Sequence, residues 1–142
     1  MRVAYVDASM AVKLLRQEPG SGEAVAIWAV TDRVVASRLT RIETCAALAA
    51  AHRNHELSDD ELERALAVEG TLASQYTLLE LDSSVEAIAR AVAIRHGLKG
   101  ADAVHLASAL VLEEPELVFA TWDRRLHLAA QAEGLAVAPA SL

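Results

Sequence analysis

Four acidic residues stand where an α/β chain does its chemistry. Asp7 follows the apolar run Val3-Ala4-Tyr5-Val6, and Asp123 follows Val118-Phe119-Ala120-Thr121-Trp122. Glu43 is expected in the first turn of the helix after a second strand. Asp102 is expected in the first turn of the helix after Gly97-Leu98-Lys99-Gly100. Singly, each has a plain explanation as a helix N-cap or a first-turn acid favoured by the helix dipole. Together, from four distant segments, they are expected to converge on one edge of a sheet. Two carboxylates ~5 Å apart repel by roughly 3 kcal/mol at an effective dielectric of 20. Four in one cleft therefore require protons or a cation. Oxygen-only ligands suit the hard cations Mg²⁺ and Mn²⁺. Such an ion acidifies a bound water and neutralises charge on a phosphoryl oxygen. The chemistry read from these residues is metal-assisted phosphoryl transfer.

The elements that must position them alternate along the chain. Short β-branched or apolar runs at Arg2 to Val6, Arg33 to Ala36, Tyr76 to Leu81, Leu117 to Thr121 and Ala136 to Ala138 read as strands. Helices are expected at Met10 to Arg16, Ser21 to Val30, Thr40 to Arg53, Ser58 to Ser74, Ser83 to His96, Ala101 to Glu113 and Arg124 to Glu133. In the third of these, Leu39, Ile42, Ala46 and Ala49 form the expected apolar stripe. Ser58 with Glu61, and Ser83 with Glu86, have capping-box spacing. Gly97 and Gly134 fit the residue just past a helix end. The alternation implies a short parallel sheet of four to five strands with helices on both faces. Such sheets bind ligands outside the carboxyl ends of their strands.

Composition bounds the rest. The chain has 142 residues, 54% hydrophobic and 23% charged, with 6 Gly and 3 Pro, which excludes disordered and collagen-like classes. No linker or repeat breaks it, so one domain over residues 1–142 is expected. A lone cysteine, Cys45, excludes an internal disulfide or a Cys-based zinc finger and reads as a small buried apolar group. The opening Met1 to Asp7 turns acidic too soon for a signal peptide, and no run reaches membrane-span length, so a cytoplasmic protein without membrane partners is expected. The net charge of −7 argues against a broad basic coat for nucleic acid. It is compatible with a nuclease whose carboxylates gather cations.

At these acids the sequence resembles a known family. Val6-Asp7-Ala8-Ser9 is similar to the opening of PIN-domain proteins. Ser37-Arg38-Leu39-Thr40-Arg41-Ile42-Glu43, Gly100 to Ala109 and Ala120 to Leu126 resemble the later acidic motifs of the VapC-type toxins. Trp122 stands where a smaller aromatic such as Phe is expected. The resemblance spans essentially the whole chain. It implies a PIN-like fold and a Mg²⁺- or Mn²⁺-dependent endoribonuclease, the toxin of a type II toxin–antitoxin pair, acting on tRNA or rRNA. It implies a VapB-type antitoxin as partner and a homodimer. By position, Asp7, Glu43, Asp102 and Asp123 are the catalytic quartet. Asp7, Asp102 and Asp123 hold the metal, while Glu43 helps hold it or orients the attacking water. Ser9 and Thr121 support the quartet by hydrogen bonds.

Other polar residues have competing readings. Arg38, Arg41, Arg124 and Arg125 flank the acidic motifs and could contact RNA phosphates or pair with neighbouring acids. The five histidines offer no zinc spelling and read as structural or surface groups. Trp28 and Trp122 read as core aromatics ahead of a partner groove or a base platform. Asp82 also follows a strand, but its neighbours mark it as helix-capping. The rival functions are a catalytically silent PIN-like interaction module and a phospho-receiver-type domain. The latter wants paired acids after the first strand, where this chain has Asp7-Ala8-Ser9.

Overall fold

The computed structural model describes all residues, 1–142. Five strands form one sheet: β1 (Val3–Val6), β2 (Arg33–Ser37), β3 (Tyr76–Leu79), β4 (Leu117–Ala120) and β5 (Ala136–Ala138). Every pairing is parallel, in the order β3-β2-β1-β4-β5. Seven helices connect them: α1 (Ala8–Leu15), α2 (Ser21–Ala29), α3 (Arg38–Arg53), α4 (Asp59–Ala73), α5 (Ser83–His96), α6 (Gly100–Leu110) and α7 (Arg124–Ala132). From β1 the chain moves outward to β2 and β3, then returns to lay β4 on the other side of β1. The order reverses between β1 and β4, so the crevice at their carboxyl ends is the natural ligand position.

The central strand explains its own sequence. All four residues of β1 are buried, as expected for a strand covered on both faces. Val3 and Tyr5 point into a core shared with α5, α6 and α7, where the Tyr5 and Phe119 rings stack with centroids 5.0 Å apart. Val6 points the other way, against Met10, Ala11 and Ala24 of α1 and α2. A third cluster, Leu48, Ala51, Leu57 and Ala65, joins α3 to α4. The edge strands β3 and β5 are only partly buried.

Several boundaries differ from the sequence reading. Helix α3 begins at Arg38, directly after its cap Ser37, so Glu43 lies in the second turn rather than the first. The buried face of α3 is Thr40, Thr44, Leu48 and Ala51; of the expected stripe, Leu39 and Ala49 are half-buried and Ala46 and Ile42 are exposed, Ile42 by 66%. Two hydroxyl bonds make this possible. Thr40 Oγ1 donates to the Val6 carbonyl at 3.1 Å, and Thr44 Oγ1 donates to the Thr40 carbonyl at 2.6 Å. With their polar atoms satisfied, the threonines bury without the usual penalty. Cys45, expected to be buried, is half-buried. Helix α6 stops at Leu110 instead of reaching Glu113, and Glu113 takes a positive φ of 48° in the turn before Pro115. The cap of α5 is Asp82, whose carboxylate accepts from Val85 N–H, and not Ser83. The Ser58–Glu61 capping box forms with both reciprocal bonds.

Phe119 is fully buried between the strands and the α5–α6 layer. Phe119→Ala is expected to cost about 3–5 kcal/mol of unfolding free energy by the cavity it leaves, read from urea denaturation with an unchanged m-value.

Candidate active site

Asp7 is the first residue after β1 and the N-cap of α1. Its Oδ1 accepts from Met10 N–H at 3.1 Å and from Ser9 Oγ at 2.7 Å, and its Oδ2 accepts from Thr121 Oγ1 at 2.5 Å. Asp123 repeats the arrangement after β4. It caps α7 by accepting from Leu126 N–H at 2.9 Å, and its own N–H donates to Thr121 Oγ1 at 3.1 Å. Ser9 ties the two caps together, accepting from Trp122 N–H at 2.8 Å and lying 3.3 Å from Thr121 Oγ1. Ser9 and Thr121 thus stand beside the acids as the motifs implied.

The other two acids enter from helices. Asp102 lies in the first turn of α6, where the helix dipole favours a carboxylate. Glu43 reaches the same region from α3 and is held by His105 of α6. Electrostatics shows that all four share one field. Burial is the largest cause raising the Asp102 carboxyl above the usual aspartate range, followed by repulsion from Asp123, with Glu43 and Asp7 adding to it. Asp7, only 4% exposed, is raised by burial, against opposing contributions from His105, Ser9, Thr121 and the Met10 N–H. No three His, Cys, Asp or Glu side chains form a closed ligand cluster. The quartet is an open group of carboxylates, of which Asp7, Asp123 and Glu43 are fixed by hydrogen bonds. Its all-oxygen donor set and mutual repulsion suit a hard divalent cation.

The flanking arginines divide. Arg41 makes a two-pronged ion pair with Glu69 of α4, at 2.8 and 2.9 Å, and Glu69 is buried. That pairing commits it to joining α3 and α4. Arg38 pairs with Glu80 at 2.6 Å on the exposed surface, and Arg125 donates to the Gly97 carbonyl at 3.3 Å. Arg124 is exposed and forms no ion pair. Trp122 is half-buried against the α1–α2 core, with Lys13 Nζ 5.5 Å from its ring. The α1–α2 turn closes on it. A Cβ at Gly20, where φ is +93°, would stand 2.7 Å from Trp122 Nε1. Trp28 packs beside the same core, edge-on to Tyr76.

His105 is the residue that sequence reading missed as part of the site. Its side chain is buried, its Nδ1 lies 2.8 Å from the Tyr5 hydroxyl, and its Nε2 meets Glu43. The available signal was its spacing, one helical turn beyond Asp102 on the same face. Of the other histidines, His127 is buried on the Pro139 carbonyl, and His52 and His96 pair with Asp59 and Glu133.

With the fold and acidic crevice in view, comparison with known proteins is direct. Residues 4–132 match the PIN domain, and the chain belongs to the PIN-domain family. Within it the chain groups with VapC proteins. It is 49% identical over 142 residues to Ribonuclease VapC45 of Mycobacterium tuberculosis strain CDC 1551 / Oshkosh, covering 100% of this chain and 99% of the relative. Ribonuclease VapC49 of Mycobacterium tuberculosis strain ATCC 25618 / H37Rv matches with the same identity and coverage. Solved structures share the fold at lower identity. Mycobacterium tuberculosis VapC20, described as a sarcin-ricin loop cleaving toxin, superposes with a TM-score of 0.68 at 20% identity, covering 93% of this chain and 95% of that one. A DNA-bound VapBC from Salmonella typhimurium gives 0.66 at 20% identity, covering 96% and 97%. No helix is long and apolar enough to cross a membrane.

Two expectations follow. Asp102→Asn removes one charge from a crowded field, so without metal it should raise Tm by a few degrees. Because the folded Asp102 carboxyl sits above its unfolded value, the wild type loses this contribution as pH rises through the folded pKa. The Tm gap between variant and wild type should therefore be small near pH 4 and widen toward neutrality, as thermal denaturation in EDTA across pH would record. Arg41→Ala leaves buried Glu69 unpaired and should destabilise the fold by about 1–3 kcal/mol, whereas Arg38→Ala, at an exposed pair, should change it by less than about 1 kcal/mol. Urea denaturation of the two variants side by side makes the comparison.

Proposed function

We propose that this protein is a Mg²⁺- or Mn²⁺-dependent endoribonuclease and the toxin of a type II toxin–antitoxin pair. The carrying observation is the meeting of four acids at the carboxyl edge of the sheet: Thr121 joins Asp7 to the Asp123 backbone, and Glu43 bonds His105 one turn from Asp102. Full-length similarity to proteins named as VapC ribonucleases supports the same reading. Its substrate is tRNA or rRNA in the cytoplasm, its protein partner a VapB-type antitoxin, and its working form a homodimer.

When bound, the cation supplies an acidified water and charge neutralisation at the phosphoryl oxygens. Asp7, Asp102 and Asp123 are the residues that would hold it. Ser9 and Thr121 fix the Asp7 carboxylate by donating to its two oxygens. Glu43 keeps Oε1 on His105, which leaves its second oxygen to help hold the cation or to orient the attacking water. The new oxygen–phosphorus bond forms as the phosphorus–3′-oxygen bond breaks; the attacking water gives up a proton, the departing 3′-oxygen takes one from solvent, and the products are a 5′-phosphate and a 3′-hydroxyl. Arg124, exposed and without an ion pair, is the flanking arginine left free for a phosphate contact. Arg38 and Arg125 are secondary candidates, and Arg41 is already engaged by Glu69.

Purified tRNA and ribosomal RNA should be cut into discrete products with Mn²⁺ and left intact with EDTA. The products should fall at least about 100-fold with Asp7→Asn. Cleavage persisting in Asp7→Asn overturns the site assignment. Folded, antitoxin-free wild type that cuts neither RNA with Mn²⁺ supports the catalytically silent interaction module instead.

A further inference from the structure

We propose that His105 and Tyr5 are positioning residues that fix Glu43 through a hydrogen-bonded chain starting at the β2 backbone. This deepens the ribonuclease reading of the four-acid crevice and rests on it. The chain begins at Ser37, where the backbone N–H donates to the Tyr5 hydroxyl at 3.3 Å. That N–H occupies a lone pair of the hydroxyl oxygen and leaves its hydrogen for His105 Nδ1, 2.8 Å away. Nδ1 is then an acceptor, so the imidazole proton lies on Nε2, which donates to Glu43 Oε1. Tyr5 is 0% exposed and His105 2% exposed, so water does not compete for either group. Burial also pushes the Tyr5 hydroxyl far above the usual tyrosine range, and it stays a donor throughout the physiological range.

The geometry answers a problem specific to Glu43. Asp7 and Asp123 are helix caps, fixed by backbone N–H groups of their own helices. Glu43 sits in mid-helix, where every nearby backbone N–H is already spent on the α3 ladder. Its longer side chain, pushed by three like charges, has no local donor to hold it. A donor must come from elsewhere, and α6 supplies it from the same face as Asp102. The buried Nε2–H directs one carboxylate oxygen of Glu43 and fixes the orientation of the whole group. Tyr5 and Ser37 hold the imidazole in the required tautomer. Outer partners of this kind typically change metal affinity or activity by roughly 10–100-fold when removed.

The test is a double-mutant cycle with two amide substitutions. His105→Asn keeps an amide near the Nδ1 position but does not reach Glu43. His105→Gln places an amide N–H near the Nε2 position. Manganese-dependent RNA cleavage is followed as kcat and KM, and Mn²⁺ affinity is measured separately by calorimetry. His105→Asn should lower kcat at least about 10-fold with KM for RNA within about twofold. His105→Gln should recover to within about threefold of wild type. In a Glu43→Gln background, His105→Asn should add nothing to the loss in kcat or in Mn²⁺ affinity. Tyr5→Phe deletes one oxygen and serves if the histidine variants unfold, with a smaller loss of kcat expected. Equal behaviour of the Asn and Gln variants, or additive losses in the cycle, overturns the proposal and leaves His105 a packing residue. If Asp7→Asn retains cleavage, the site reading itself fails. If Asp7→Asn is inactive while His105→Asn and Tyr5→Phe match wild type, only the positioning proposal fails.

Discussion

Mutual repulsion of four carboxylates is the constraint around which this structure is arranged. The sheet order β3-β2-β1-β4-β5 reverses beside β1. That reversal opens a crevice where the ends of β1 and β4 deliver Asp7 and Asp123, while α3 and α6 bring in Glu43 and Asp102. Like charges gathered in one crevice would move apart or take up protons unless something held them. Three of them are held by hydrogen bonds: from the hydroxyls of Ser9 and Thr121, the backbone N–H groups of Met10 and Leu126, and the His105 imidazole. No lysine or arginine pairs with any of the four. A fixed cation inside the cluster would satisfy the charges and compete with a bound metal. Hydroxyl and backbone donors orient the Asp7 and Asp123 oxygens without adding a charge.

The cost of this arrangement is borne by the fold. Burial raises Asp7, and burial with repulsion raises Asp102, so the ionised, metal-free protein gives up some stability at neutral pH. It is offset by the two apolar layers that clamp β1, with Tyr5 and Phe119 stacked on one side and Val6 against Met10 and Ala24 on the other. The paired caps at Asp7 and Asp123 matter for the same reason. Ser9 receives the Trp122 N–H and donates to Asp7, so α1 and the β4–α7 turn are joined at the site itself.

Much of the framework could be read from residue order. Strand–helix alternation, the Gly97 and Gly134 stops and the Ser58–Glu61 box are local signals, and local backbone chemistry realises them. The failures have a common cause. The stripe Leu39, Ile42, Ala46 and Ala49 is more apolar than the face that is buried. Thr40 and Thr44 win because the Val6 carbonyl and the helix backbone satisfy their hydroxyls. Periodicity counts apolar side chains and is blind to a polar group whose partner lies on another strand. Arg41 is a parallel case. Beside the acidic motif it reads equally as a phosphate ligand or an ion-pair partner, and Glu69, far along the chain on α4, decides for the ion pair.

The sequence by itself determined where Asp7, Asp102 and Asp123 stand, after strands or at a helix start, and the PIN-domain family to which the chain belongs. Those features depend on residues adjacent in the chain, where spacing and capping chemistry act. Tertiary structure alone decided how the acids are held. Tyr5, Ser37, Glu43 and His105 come from β1, β2, α3 and α6, and meet only when the parallel sheet has formed and α6 has packed across it. A hydrogen bond needs its partners within about 3 Å and correctly oriented, a condition that no one-dimensional spacing encodes between residues so far apart in the chain.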